Sequence, residues 1–128
     1  MFFFKRRLSN KKRPFVNTNK ENIALKFAML VDEHHKTRKE VTFYADKLCI
    51  SSVYLTKVIQ EVNGQSAHEM IADYVVIEIK NLLRDATLDI KNVARRAGFA
   101  NQSSLSRFFR LHTGMSPSEY RRTTHITR

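Results

Sequence analysis

The chain has 128 residues, of which 42% are hydrophobic and 27% charged, with a net charge of +11 and only 3 Gly and 2 Pro. That length holds one domain or two small ones, and so few turn-formers argue for long helices with short joints rather than a many-stranded sheet. A single cysteine, Cys49, excludes a disulfide framework within the chain, and no apolar run approaches the roughly 20 residues a membrane-spanning helix needs.

Positive charge of this size implies an anionic partner: nucleic acid, a membrane surface or an acidic protein. It is unevenly placed. Residues 1–40 carry eleven basic and four acidic side chains, whereas residues 41–122 carry eleven and eight. The later part must therefore be read from pattern, not from bulk charge.

Residues 1–20 contain seven Lys or Arg and no acid, and Pro14 and Asn17-Thr18-Asn19 break any periodicity. This stretch reads as a solvated, disordered tail; the sharper alternatives are an arm on nucleic-acid phosphates or the remnant of a linker. Its opening, Met1-Phe2-Phe3-Phe4-Lys5-Arg6-Arg7, puts the charges after the apolar residues, the reverse of a secretory leader. A reducing cytoplasm is the expected compartment. Over residues 21–37, Ile23, Phe27, Leu30 and Val31 recur on one helical face, and Asn19 or Asn22 is the expected cap.

The rest of the chain contains an internal repeat. Tyr54-Leu55-Thr56-Lys57-Val58-Ile59 lies above Ser104-Leu105-Ser106-Arg107-Phe108-Phe109 at an offset of 50, which continues through Gly64 and Gly114, Ser66 and Ser116, and Glu69 and Glu119. On the N-terminal side the offset is 49, matching Ala45 to Ala94 and Cys49 to Gly98, so one connecting turn is a residue longer. Two copies are too few for a solenoid, and the pattern reads as a duplicated module.

Each copy predicts a short helix, over Phe43 to Leu48 or Ile90 to Ala97, then a tight turn centred on Cys49-Ile50 or Gly98-Phe99. A second helix follows, over about Ser52 to Val62 or Gln102 to His112, and Gly64 or Gly114 ends it in a left-handed conformation. Ser66-Ala67-His68-Glu69 and Ser116-Pro117-Ser118-Glu119 are capping boxes, with Pro117 at the first helical position. Between the copies, residues 66–85 predict a linking helix with Ile71, Val75, Ile79 and Leu82 on one face; Val75-Val76-Ile77 taken alone could be a strand.

Short helix, tight turn and second helix form the helix-turn-helix pattern. Ala45 and Ala94 supply the small residue where the helices cross. Gly98 suits the turn, while Cys49 fits it poorly and reads as a small packed residue. Leu55, Val58 and Ile59 face inward in one copy, as do Leu105, Phe108 and Phe109 in the other. Outward lie Ser52, Val53, Thr56 and Lys57, and in the second copy Asn101, Gln102, Ser103, Ser104 and Arg107. Asn and Gln can bond bidentately to adenine and Arg to guanine, while Val53 and Thr56 suit thymine methyls and Lys57 a guanine or a phosphate.

The passages Phe43-Tyr44-Ala45-Asp46-Lys47-Leu48, Ala94-Arg95-Arg96-Ala97-Gly98-Phe99 and Gly114-Met115-Ser116-Pro117-Ser118-Glu119-Tyr120-Arg121 carry a resemblance. Over about residues 41–122 the chain resembles the AraC/XylS-type transcription regulators. The resemblance implies an all-α fold of about seven helices, with two helix-turn-helix subdomains (21–65 and 86–124) joined by the 66–85 helix, which would hold both recognition helices toward one face of DNA. Those helices would read an asymmetric site, with Arg110 and Arg121 on phosphates. The chain departs from the family in the linking helix, where Val75-Val76 and Ile79 replace the usual Arg-Leu and alanine, and at Ser104, where many relatives carry Tyr or Phe.

Expected partners are double-stranded DNA, with RNA polymerase a candidate second one; no membrane is expected. A monomer suffices for a full site, and a dimer would form through a domain outside this chain. Either the chain is a stand-alone DNA-binding member or it is a fragment of a larger ligand-sensing regulator. The rival from another class is a binder of anionic membrane surfaces acting through the basic N-terminal segment, supported by Phe2-Phe3-Phe4. No enzyme is expected, since no nucleophile constellation or glycine-rich phosphate loop is present. No cofactor is expected either, and no metal, because His34 and His35 point about 100° apart on a helix and read as solvent-exposed.

Overall fold

The computed structural model describes residues 19–126, and all regular structure among them is helical. Seven helices follow in order: α1 (Asn19–His34), α2 (Val41–Lys47), α3 (Ser52–Asn63), α4 (Ala67–Leu83), α5 (Ile90–Arg96), α6 (Gln102–Thr113) and α7 (Pro117–Ile126). The basic segment up to residue 18, with its phenylalanine run, lies outside the described residues. The expected all-α class and the helix count hold. Helix ends differ from expectation by one to three residues, as fraying ends do; Asn22 falls inside α1 rather than at its start.

The chain folds as two compact units, one ending at Ile71 and the other starting at Ala72. The boundary thus falls inside α4 rather than at its ends, so the linking helix is not a free spacer: its first turns belong to one core and the remainder to the other. Its buried residues include the row Ala67, Ile71, Val75, Ile79 and Leu83, with Met70, Ala72 and Tyr74 beside it. Leu83 replaces the expected Leu82, which is half-buried. A strict i, i+4 row from Ala67 accounts for the choice, since residues four apart stack on one helical face. The β-branched Val75-Val76-Ile77 run is helical, carried by the capping box before it.

In the first unit, α1 packs against α3 and lays Ala24, Phe27, Ala28 and Val31 into the core opposite Leu55, Val58 and Ile59. Tyr44 joins them. Its ring meets Phe27 edge to face at 5.6 Å, and its hydroxyl donates to the Arg38 carbonyl at 2.6 Å. Burial pushes the Tyr44 phenol up to about 12. His35 is buried rather than exposed, with Nδ1 2.7 Å from the Val31 carbonyl oxygen. His34 lies edge-on to Phe43 at 5.1 Å.

In the second unit, Val93, Ala94, Leu105 and Phe109 are fully or almost fully buried, and Phe109 meets Tyr120 of α7 edge to face at 5.7 Å. Phe108 was expected inward but is half-buried at the rim, between Phe99 at 5.3 Å and His112 at 4.4 Å. Both capping boxes form as expected. Ser66 N–H donates to Glu69 Oε1 at 2.9 Å and Glu69 N–H to Ser66 Oγ at 3.0 Å. The Ser116 and Glu119 pair does the same at 2.8 and 3.1 Å.

Candidate nucleic-acid interface

The joint between the helices of each module is closed by the same pair of backbone bonds. In the first, Ile50 N–H donates to the Ala45 carbonyl at 3.0 Å and Cys49 N–H to Asp46 at 3.1 Å. In the second, Phe99 N–H donates to Ala94 at 2.9 Å and Gly98 N–H to Arg95 at 3.1 Å. These are the two bonds of a Schellman motif, which requires a left-handed residue just past the helix. Gly98 takes that conformation at φ 87°, and so does Cys49, at φ 60°. Cys49 is therefore not the packed residue expected. It is exposed, and it bears the strain that glycine avoids in the other copy.

The same motif places the extra residue of the second copy. After Ile50 comes Ser51, whose side chain caps α3 by accepting from Tyr54 N–H at 3.0 Å. After Phe99 comes Ala100, and only then Asn101, whose Oδ1 caps α6 by accepting from Ser104 N–H at 2.8 Å. Ala100 is thus the insertion. Asn101, expected as a base reader, has its side-chain oxygen committed to holding the first turn of α6.

The alanines that let the helices cross, Ala45 and Ala94, are each 1% exposed. With the backbone so fixed, α6 turns Gln102, Ser103, Ser106, Arg107 and Arg110 onto one open concave surface. Four of the five were expected from the sequence. Ser106 was not, although its place one turn after Gln102 and Ser103 is the periodicity that would have found it. Among the described residues, Gln102, Ser103 and Arg107 make no side-chain hydrogen bond or ion pair. Ser104 is half-buried and does not line this surface. In the first module Val53 is 80% exposed and Lys57 is exposed, with Ser52 and Thr56 half-buried beside them.

The two arginines expected on phosphates differ. Arg110 is exposed, with Nη2 4.0 Å from Glu119 Oε1. Backbone donation from Ser116, with Arg110 adding to it, holds the Glu119 carboxyl below its ordinary range. Arg121 is turned inward. Its Nε donates to the Leu83 carbonyl at 2.9 Å and its Nη2 to the Asp85 carbonyl at 3.1 Å. Those carbonyls lie at the end of α4, where helical partners run out. Arg121 therefore closes a helix end instead of facing out toward a phosphate. Lys80 and Arg84 reach the same corner, Lys80 over the Tyr120 ring at 5.5 Å and Arg84 to the Tyr120 hydroxyl at 3.5 Å.

A family model described as a helix-turn-helix domain matches residues 44–123. The chain belongs to the AraC/XylS-type helix-turn-helix family. An uncharacterized HTH-type transcriptional regulator of Escherichia coli, YijO, is 32% identical over 95 residues, 74% of this chain and 34% of that protein. The arabinose operon regulatory protein of Salmonella typhimurium is 32% identical over 92 residues, 72% of this chain and 31% of that protein. The chain thus spans about one third of the length of these curated relatives. Among solved structures, the C-terminal domain of AraT, a response regulator from Geobacillus stearothermophilus, superposes with a TM-score of 0.74 at 26% identity, covering 83% of this chain and 88% of that one. The DNA-binding domain of the global transcriptional factor AdpA, solved in complex with a target DNA, shares the fold with a TM-score of 0.72 at 22% identity over 82% of this chain and 95% of that one. Among the described residues of this AraC-type domain, no helix is long and apolar enough to cross a membrane and no group of three or more His, Cys, Asp or Glu could hold a metal ion.

Proposed function

We propose that this chain is the DNA-binding part of a transcription regulator and reads an asymmetric duplex site of about two helical turns, roughly 20 bp. Each module serves one major-groove segment. The observation that carries the reading is the duplicated joint: the same two backbone bonds and the same N-cap recur in both copies, and each presents the first turns of a second helix to solvent. Relatives described as transcriptional regulators, and a structural neighbour solved on target DNA, support it.

In this reading Gln102 bonds adenine, Arg107 bonds guanine, and Ser103 and Asn101 complete the second half-site. Val53 and Thr56 meet thymine methyls in the first, with Ser52 and Lys57 beside them. Arg110 holds a phosphate and fixes register without carrying sequence information. Because the duplication lies within one chain, a monomer occupies a full site, and RNA polymerase is the candidate second partner. The protein acts in the cytoplasm, by binding rather than by catalysis.

Selection of bound sequences from a random duplex pool tests the proposal. A single asymmetric motif with two boxes about one turn apart is expected, whereas a palindrome would overturn the monomeric site. Arg107→Ala should cost about 1–3 kcal/mol on the selected site and relax one base position. Equal weakening on all sequences would move Arg107 to the phosphates.

A further inference from the structure

A second cavity opens beside the reading surface, between α5 and the start of α6, lined in part by Lys91, Asn92, Arg95, Phe99, Ala100 and Gln102. Its lining sets two cations beside apolar side chains. Lys91 and Arg95 are spaced i, i+4, so both stand on the same exposed face of α5, while Phe99 and Ala94 form the floor. No acidic side chain lines it. Arg95 is aimed rather than loose: its Nη2 donates to Asn92 Oδ1, and Asn92 Nδ2 donates in turn to Asp89 Oδ1 at 2.8 Å. Lys91 makes no hydrogen bond or ion pair among the described residues.

Comparison of the two modules isolates this feature. At the offset of 49, Lys91 answers to Thr42 and Arg95 to Asp46, so the second copy has two cations where the first has a hydroxyl and an acid. Ala100, which lines the cavity, is the inserted residue and has no counterpart in the first copy.

We infer that this cavity seats a phosphodiester of the DNA backbone, clamped by Lys91 and Arg95, next to the base that Gln102 reads. The inference rests on the proposed DNA-binding function and adds a grip confined to the second module. Paired cations over an apolar floor exclude water from one side of the anion and present two N–H donors from the other. Gln102 lines both this cavity and the reading surface. A backbone held here would thus fix the distance from strand to reader. The two modules are then unequal: the second supplies anchorage as well as readout, and the first supplies readout with little grip from its own leading helix.

The test uses the full chain and its selected duplex, with affinity measured from 50 to 200 mM salt. The double variant Lys91→Gln and Arg95→Gln should bind every duplex more weakly by a common factor, without changing the preferred bases. Its slope of log affinity against log salt should be shallower by about 0.9, the value for the one phosphate that is no longer neutralised. Across that fourfold salt range, the ratio of native to variant affinity should therefore shrink by about 3.5-fold. Arg95→Lys keeps the charge without the guanidinium fork and should restore most of the slope, which separates charge from folding.

An unchanged slope in the double variant, or a slope that Arg95→Lys fails to restore, overturns the inference. So does a variant whose base preference shifts. Displacement of native protein from DNA by inorganic phosphate at matched ionic strength, absent in the double variant, would support it, since the free anion then competes with the backbone for the same seat. If the native chain selects no duplex sequence, the parent reading fails; if it does select one and the slope is unmoved, only this inference fails.

Discussion

Replacing Arg121 decides between two roles for one side chain, a phosphate contact and a staple across the end of α4. Arg121→Met keeps most of the apolar stem and removes both donors, so the measured effect is that of the guanidinium. The Nε bond to the Leu83 carbonyl is part-buried at 2.9 Å, and the Nη2 bond to Asp85 is exposed at 3.1 Å. A hydrogen bond to a charged donor contributes about 1.5–3 kcal/mol when sheltered, and the exposed one is worth about 0.5–1 kcal/mol. The expected loss is therefore about 2–4 kcal/mol. At about 3–5 °C per kcal/mol for a chain of this size, the midpoint of thermal unfolding should fall by about 6–20 °C. Arg121→Lys, with one compact donor group, should recover roughly half. Circular dichroism melts read this directly, and the salt dependence of DNA binding supplies the second axis. A staple leaves that slope unchanged, while a phosphate contact reduces it by about 0.9. A melt shifted by less than about 1 °C, together with a slope reduced by that amount, would refute the assignment of Arg121 to the helix end.

Three further outcomes are expected. Cys49→Gly removes a left-handed cost of about 1–2 kcal/mol at an exposed position, against an unfolded-chain entropy of about 0.5–1 kcal/mol. Urea midpoints should rise by the equivalent of about 0.5–1 kcal/mol with the slope of the transition unchanged; a fall would mean that Cys49 contributes packing its exposure conceals. On the proposed contact of Val53 with a thymine methyl, deoxyuridine at that position deletes one methyl and should weaken binding about threefold to fourfold at about 0.8 kcal/mol per buried carbon; Val53→Ala should be blind to the change, and an equal loss in that variant would disprove the contact. Hydrogen bonding from Arg38 holds Glu40 at about 2, below its ordinary 4.5. A depressed carboxyl stabilises the fold above the ordinary value and loses that contribution as pH falls from 4.5 toward 2. The stability difference between the native chain and Glu40→Gln, followed by urea titration, should therefore be largest near pH 6 and vanish near pH 2, and a difference independent of pH would contradict the pairing.

Relations spanning a few residues were legible in the sequence. The capping boxes join residues three apart, the C-terminal glycines complete bonds within five or six residues, and the helical faces follow from a period of 3.6. Local backbone geometry alone selects the residue types for these roles, so Ser66, Glu69, Gly64 and their counterparts at 116, 119 and 114 stand where the pattern put them. Duplication raised the value of each match, because the same local solution was written twice.

The tertiary structure decided what depends on partners far along the chain. Arg121 reaches carbonyls some 36 to 38 residues away, and no periodicity distinguishes it from the exposed Arg122. Leu83 rather than Leu82 completes the buried row, because adjacent residues differ by 100° about the helix and only a packed neighbour chooses between them. His35 is buried because α1 ends against the first core, not because of its own chemistry. Lys91 and Arg95 line one cavity with Phe99 and Ala100, which follow on the far side of the turn. Sequence determined which helices form and how each one starts and stops; three-dimensional packing determined which cations point at the fold and which are left to meet an anion, since that depends on distances the linear order does not contain.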